Sequence, residues 1–454
     1  MESDLRLLAR FAATVNINSI PPDVIRAAAE RLLDNISVGI AASDDTLIKE
    51  ISTRYLELSG DKKAASIWGS ERKAPVYTAV FLNALMCHLL ESDDVHTKSK
   101  AHIGAAVIPA AWSLAEALGC SGKELLLAVI VGYEVESRIA MALGVKEHRK
   151  LGWHVTATAG VFGAAAACGK LMKLDGDTMV SCLGLAGAQS FGTWAFLGDG
   201  SNSKALNPAR AAVNGYEAAI LASAGMNGPE HILEAEDGGL LHMMTSCAYT
   251  ECLTANLGSV WEICNVDNKV YPCCRSTHCA IDSVLAIRQR HQIHPDSIKN
   301  IVISTYLIGK QQCATSGTSL DPHNGVDAKF STPYCVSAAL VKGKISLDEF
   351  NSDVVENPTI RELMKKVEVV AEDRFTDAYP NHWGCHTTIF CQDGTCYKME
   401  IPDASGSVDN PLSKDQLMSK AINMLTRIYP QTAANIAEKL MNIQNFSSLT
   451  DVLI

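Results

Sequence analysis

Ile301-Val-Ile-Ser-Thr-Tyr-Leu307 is the run on which the fold class turns. Its β-branched residues read as a strand, and it follows some 260 residues in which almost everything reads as helix. Downstream, residues 367–371 form a second strand-like run. Residues 387–392 and 395–401 flank Asp393-Gly394, a pair suited to a type I′ hairpin turn. Helical periodicity at 278–292, 331–342 and 359–366 is interspersed among these strands. Residues 264–407 therefore read as a smaller α+β unit.

Upstream the pattern is helix after helix. Ser3 can cap a segment carrying Leu5, Leu8 and Phe11 on one face. Pro21-Pro22 opens residues 23–42, where Val24, Ala28, Leu32 and Ile36 recur at helical spacing. Residues 47–58 are amphipathic and stop at Gly60. Ser121-Gly-Lys-Glu124 is a capping box ahead of an apolar helix at 125–143. The helices expected at 156–172 and 177–189 are rich in Ala and Gly, so their backbones can approach neighbours closely. Further helices are expected at 208–225 and 229–244, and the one plausible strand in this part is 65–68. The tail returns to helix at 413–427, 431–442 and 447–453, too little to fold alone. The expected architecture is mainly α with a smaller α+β domain. A discontinuous all-helical domain takes residues 1–263 and 408–454, and an α+β lid domain takes 264–407.

At 454 residues, with 47% apolar and 20% charged side chains, the chain has the make-up of a soluble globular protein of two domains. The net charge of −11 and the lack of a Lys/Arg-rich run argue against nucleic-acid binding, while a small anionic ligand stays compatible. No window reaches the roughly 18 apolar residues of a membrane span. Met1-Glu-Ser-Asp lacks a secretory pattern, and the 15 cysteines read as reduced thiols, so a cytoplasmic setting is expected.

Several stretches carry chemistry. Residues 90–104, Leu-Glu-Ser-Asp-Asp-Val-His-Thr-Lys-Ser-Lys-Ala-His-Ile-Gly, place seven ionisable groups between two apolar segments. Composition alone favours a solvated connection there, although Asp94 and His102 could meet around one pocket if the chain turns sharply. Gly152-Trp-His154 ahead of an apolar helix is as compatible with a structural histidine as with a functional one. Residues 196–204 form a Gly/Asn/Ser loop ending in Lys204, either a surface turn or a lid that sets one cation on an anion. Tyr271-Pro-Cys-Cys-Arg-Ser-Thr-His-Cys279 lacks paired zinc-ligand spacing. It reads as a loop into a helix, with Arg275 near the positive end, an arrangement that favours a carboxylate. Gly163-Ala-Ala-Ala-Ala-Cys-Gly-Lys170 has the wrong spacing for a phosphate loop and lies within a helix pattern.

Taken in order, these residues resemble the MmgE/PrpD family, which includes 2-methylcitrate dehydratase, cis-aconitate decarboxylase and iminodisuccinate epimerase. The resemblance rests on Leu-Glu-Ser-Asp-Asp94 followed by Ala-His102-Ile-Gly-Ala-Ala-Val-Ile-Pro109, and on Gly-Trp-His154. Ser203-Lys204 before Asn-Pro-Ala-Arg-Ala-Ala-Val-Asn-Gly215, Leu233-Glu-Ala-Glu-Asp-Gly-Gly239 and Lys269-Val-Tyr-Pro-Cys-Cys-Arg-Ser-Thr-His278 extend it. It implies a discontinuous helical domain with an α+β lid, a homodimer, and neither metal nor organic cofactor.

By the same resemblance, His102 and His154 are the active-site histidines, and Lys204 and Lys269 bind substrate. Tyr334 reaches the site from the lid. Asp93 or Asp94 orients a histidine, and Glu91, Cys274 and Arg275 belong to the substrate surface. Glu91, Val95 and Cys274 stand where the cis-aconitate decarboxylase pattern has aspartate, threonine and histidine. His96, Lys98 and Lys100 are expected at the surface.

The implied activity is a cofactor-independent lyase, a dehydratase or decarboxylase of a small di- or tricarboxylate. An epimerase using the same groups and a non-catalytic carboxylate-binding relative are the alternatives. No nucleic acid or membrane partner is expected.

Overall fold

Ser3 accepts a hydrogen bond from the Arg6 N–H and opens helix Asp4–Thr14, the first of a long series. The computed structural model describes residues 2–60, 62–198, 200–450 and 452–453. Helix Pro22–Ala42 starts on its proline, whose fixed φ suits a first turn, and buries Val24, Ala28, Leu32 and Ile36. Helices Thr46–Leu58, Val76–Leu89 and Ile103–Leu118 follow. Gly122–Ala142 begins on the reciprocal Ser121/Glu124 capping box.

The small-residue helices pack as their composition requires. In Leu206–Ser223, a Cβ added to Gly215 would lie 2.6 Å from both the Val161 carbonyl oxygen and the Ala164 Cβ of helix Gly160–Leu171. Only a hydrogen side chain permits that approach. One large core results, running from Leu5 to Val266 and taking in Leu417, Leu425, Ile436 and Leu440 of the tail helices Lys414–Thr426 and Ala433–Met441. The tail thus packs back on the first part of the chain.

A second core runs from Tyr271 to Ala404. Its sheet has the order Val367–Ala371, Ile298–Thr305, Cys385–Cys391, Cys396–Ile401, with the first pair parallel and the others antiparallel. Helices His278–His291 and Thr332–Lys342 belong to the same unit. The fold is mainly α with a smaller α+β part.

Several boundaries differ from the sequence reading. The stretch 229–244 is helical only over Leu240–Met244; the residues before it form separate turns, the last of them with Gly238 at φ 84°. Residues 155–171 divide at Ala159 into Val155–Thr158 and Gly160–Leu171. The described residues of 447–453 form turns, with a 3-10 turn at Ile443–Asn445 before them. The hairpin turn is longer than a two-residue type I′ turn. Gly394 takes φ 89° and its N–H reaches the Cys391 carbonyl at 3.2 Å, while the Cys391 N–H reaches the Thr395 carbonyl at 2.8 Å. Three very short strands also escaped the sequence reading, and one pair of them, Val95–His96 with Val266–Asp267, builds the site.

The Gly163–Lys170 run lies inside a helix, and the Lys170 ammonium caps the Ala13 and Val15 carbonyls at 2.8 and 2.6 Å. All 15 cysteines are free thiols. Among the described residues no helix is long and apolar enough to cross a membrane.

The helix contact at Gly215 gives a direct test. Gly215→Ala should cost about 1–3 kcal/mol of folding stability through overpacking, read as a lower urea midpoint. An unchanged midpoint would mean that the two backbones separate freely.

Candidate active site

Helix Val76–Leu89 ends at the mouth of the site, and Glu91 then turns the chain with φ 57°, a conformation that non-glycine residues avoid. Three successive carbonyls beyond the helix are each taken by a lysine ammonium. Leu90 accepts from Lys329 at 3.1 Å, Glu91 from Lys269 at 3.0 Å, and Ser92 from Lys420 at 2.8 Å. Pairing of Val95 with Asp267 and of His96 with Val266 carries Lys269 to this loop. Arg31 holds the second strand from behind, through the Val266 carbonyl at 3.0 Å and Asn268 Oδ1 at 2.8 Å.

His96 is buried rather than at the surface. Its Nε2 lies 3.1 Å from Glu262 and its Nδ1 2.8 Å from Ser99 Oγ, so it pins the loop shut. Lys98 is exposed, as expected. Lys100 is not, and its side chain turns inward.

The acidic residues divide into distinct roles. Asp93 is fully buried, with Oδ2 2.6 Å from His88 Nδ1 and 3.2 Å from His102 Nδ1. Burial works against its charge, but the two imidazoles hold its pKa well below the carboxylate range. Asp94 faces away from the imidazoles. It accepts the Gly104 N–H at 3.1 Å and the Tyr133 hydroxyl at 2.5 Å, and so seats the start of helix Ile103–Leu118. Burial raises it to about 6. Glu91 is ion-paired with Lys204, and its Oε2 is 3.2 Å from Lys269. Burial would raise it, yet the two lysines hold it well below its ordinary range.

The hydrogen bonds also fix which nitrogen of each histidine carries the proton. His102 Nδ1 lies 2.8 Å from the Asp94 carbonyl as well as near Asp93, and both are acceptors. Nδ1 therefore holds the hydrogen and Nε2 keeps a lone pair. His154 is the reverse case. Asn207 Nδ2 donates to the Thr193 carbonyl at 3.1 Å and to His154 Nδ1 at 2.9 Å, which leaves the hydrogen on Nε2. Burial pushes His102 down to about 4 despite Asp93, and burial reinforced by Lys204 pushes His154 well below the ordinary imidazole range. Both rings are neutral near pH 7, one as a proton acceptor and the other as a donor.

Glu91, His102, His154, Lys204, Lys269, Cys274 and Arg275 line one small cavity of about 50 Å³. A wider cleft of about 280 Å³ shares Glu91 and Lys204 with it and adds His88 and Arg149. Lys204 sits in the 3-10 turn Asn202–Ala205, so the loop before it ends in a buried ion pair rather than a surface turn. Arg275 lies in the turn before helix His278–His291 and is 3.2 Å from Asp267. A hydrogen bond from Cys313 lowers the Cys274 thiol to about 6, close to Lys269.

Tyr334 does not reach the cavity. Its ring is buried in the second core, and its hydroxyl donates to the Glu349 carbonyl.

Three residues near the reacting groups were missed in the sequence: His88, Asn207 and Lys100. His88 ends an otherwise apolar helix five residues before Asp93, and that position was its only signal. Donor atoms of His88, Asp93 and His102 lie within 4.8 Å of one another, a set that could in principle hold a metal. The 2.6 Å separation of His88 Nδ1 from Asp93 is a hydrogen-bond length, shorter than two ligands about 2.0–2.2 Å from one ion would adopt at ordinary angles.

Residues 6–251 match the family model of the MmgE/PrpD N-terminal domain, and residues 271–444 match that of the MmgE/PrpD C-terminal domain. The chain is 28% identical to the cis-aconitate decarboxylase of Mus musculus, with 97% of this chain and 91% of that protein covered. It is 25% identical to the cis-aconitate decarboxylase-like protein oryM of Aspergillus oryzae, covering 96% and 92% respectively. For the cis-aconitate decarboxylase of Homo sapiens the identity is 26%, covering 98% and 93%.

The assigned tautomers can be read directly. Long-range ¹H–¹⁵N spectra of histidine-labelled protein at pH 7 should show Nδ1–H at His102 and Nε2–H at His154. On acidification His102 should stay neutral until about pH 4. A His102 signal that titrates at the ordinary value of about 6.5 would contradict the buried, Asp93-held geometry.

Proposed function

The chain belongs to the MmgE/PrpD family, and from that premise we propose a cofactor-independent lyase acting on a small di- or tricarboxylate. The observation that carries this reading is the complementary pair of imidazoles, an acceptor at His102 and a donor at His154, on one cavity with Lys204 and Lys269. Breaking a C–H or C–C bond beside a carboxylate leaves an electron pair that spreads onto the carboxylate oxygens. Lys204 and Lys269 are poised where that charge would grow. They would exchange Glu91, which orients them in the free site, for the substrate.

The two lyase reactions use the imidazoles differently. In a dehydration, His102 Nε2 takes the proton beside the carboxylate while His154 Nε2–H protonates the departing hydroxyl, which leaves as water. In a decarboxylation the broken C–C bond supplies the electron pair, CO2 leaves, and one proton from His154 completes the product. Asp93 orients His102 in the first case and stabilises it after it accepts the proton. The names of the relatives make cis-aconitate the first substrate to test.

The same reading takes residues 1–263 with 408–454 as the helical domain and 264–407 as the lid. It also takes the protein to be a cytoplasmic homodimer, consistent with its free thiols.

The test is product analysis with cis-aconitate, citrate, 2-methylcitrate and iminodisuccinate by proton NMR in deuterium oxide. Alkene formation or loss of CO2 supports a lyase, whereas deuterium exchange without an alkene product would make the protein an epimerase. His154→Ala should lower turnover about 10²–10⁴-fold for either lyase reaction, and His102→Ala should do so for dehydration. Near-normal turnover of the His154 variant would remove it from the mechanism.

A further inference from the structure

Lys100 takes φ 60°, and its N–H closes a turn on the His96 carbonyl at 2.8 Å. Its Nζ lies 3.6 Å from the centre of the Tyr379 ring, 3.9 Å from Trp383 and 5.4 Å from Tyr306. These rings come from the α+β part, and Val95 packs among them. The Nζ is shielded from solvent and has no hydrogen-bond partner. Lys100 and Trp383 both line the cavity that holds His102 and His154.

The charges around that cavity do not match one to one. Four basic side chains line it: Lys100, Lys204, Lys269 and Arg275. Lys204 and Lys269 share Glu91, and Arg275 has Asp267. Among the described residues Lys100 has no carboxylate partner. Aromatic faces offset part of the cost of burying an ammonium, but they satisfy none of its N–H donors as a carboxylate would. Burial accordingly pushes the amine well below the ordinary lysine range in the free protein. An arriving carboxylate would draw a proton onto it from solvent and complete its bonding. A purely structural side chain in such a cage needs no nitrogen at all, since the stem alone packs the rings.

We propose that Lys100 binds a further carboxylate of the substrate, at the end of the cavity lined by Val95 and Trp383, and that it selects tricarboxylates over dicarboxylates. This rests on the reading that Lys204 and Lys269 take the carboxylate beside the reacting carbon. Lys100 then holds a carboxylate remote from that carbon, and its contribution is to binding and positioning.

The experiment uses three unreactive acids: propane-1,2,3-tricarboxylate and the two dicarboxylates made by deleting its central or a terminal carboxylate, glutarate and methylsuccinate. Their affinities are measured by calorimetry on the wild-type protein and on Lys100→Met, which keeps the aliphatic stem between the rings. A thermal melt checks folding, and Lys100→Gln replaces the first variant if that one does not fold. The substitution should weaken the tricarboxylate at least tenfold and leave at least one dicarboxylate within threefold. Equal losses for all three acids, no loss for any, or no tricarboxylate binding to the wild-type protein would each overturn the proposal. Because none of the acids can be turned over, the outcome is separate from the lyase reading. Selectivity that depends on Lys100 in a protein without lyase activity would sink the lyase alone.

Discussion

Three adjacent peptide carbonyls, those of Leu90, Glu91 and Ser92, each accept a lysine ammonium, and the rest of the site depends on that arrangement. A carbonyl satisfied by a charged donor in a dry setting is held more firmly than one bonded to water. The left-handed turn at Glu91 points successive carbonyls in different directions, so the three lysines can approach without meeting. Asp93 then lies between two imidazoles, and Glu91 lies between two of the cavity lysines. Losing any one of these bonds leaves a carbonyl of the loop without its charged donor, which costs more than the net worth of the single bond suggests.

Local periodicity recovered the fold class, because most of its elements are set by short-range signals. Capping residues marked the starts of Asp4–Thr14 and Gly122–Ala142, and β-branched runs marked Ile298–Thr305 and Val367–Ala371. The losses came where tertiary geometry decides. Residues 229–239 stay non-helical where their pattern supported a helix, and Val95–His96 is a strand only because Val266–Asp267 lies beside it. Motif order identified most of the cavity lining. It did not identify His88 or Lys100, and it gave Tyr334 a role that its bond to the Glu349 carbonyl forecloses. Within Lys98-Ser-Lys100 nothing local separates a solvated ammonium from a buried one. The difference is made by rings at 306, 379 and 383, far away in sequence.

The free site is close to electrically self-sufficient. Glu91 occupies the Lys204 and Lys269 pair, and Asp267 occupies Arg275. A ligand must therefore offer a better match than the internal acids do, since affinity reports only the difference between the two arrangements. Small inorganic anions are poor competitors on this basis, and an acid that reaches several cations at once is a good one.

The anchors of that loop also set an order of assembly. Ser92 is fastened by Lys420, 328 positions further along the chain. A ribosome delivers His102, His154, the helices up to Leu206–Ser223 and even Lys269 well before Lys420 emerges, so the loop at 90–92 lacks one of its fastenings until the tail helix Lys414–Thr426 is made. The loop at 90–92 is therefore completed late in the biogenesis of this polypeptide, and a chain ending before Lys420 would lack the ammonium that fastens the Ser92 carbonyl.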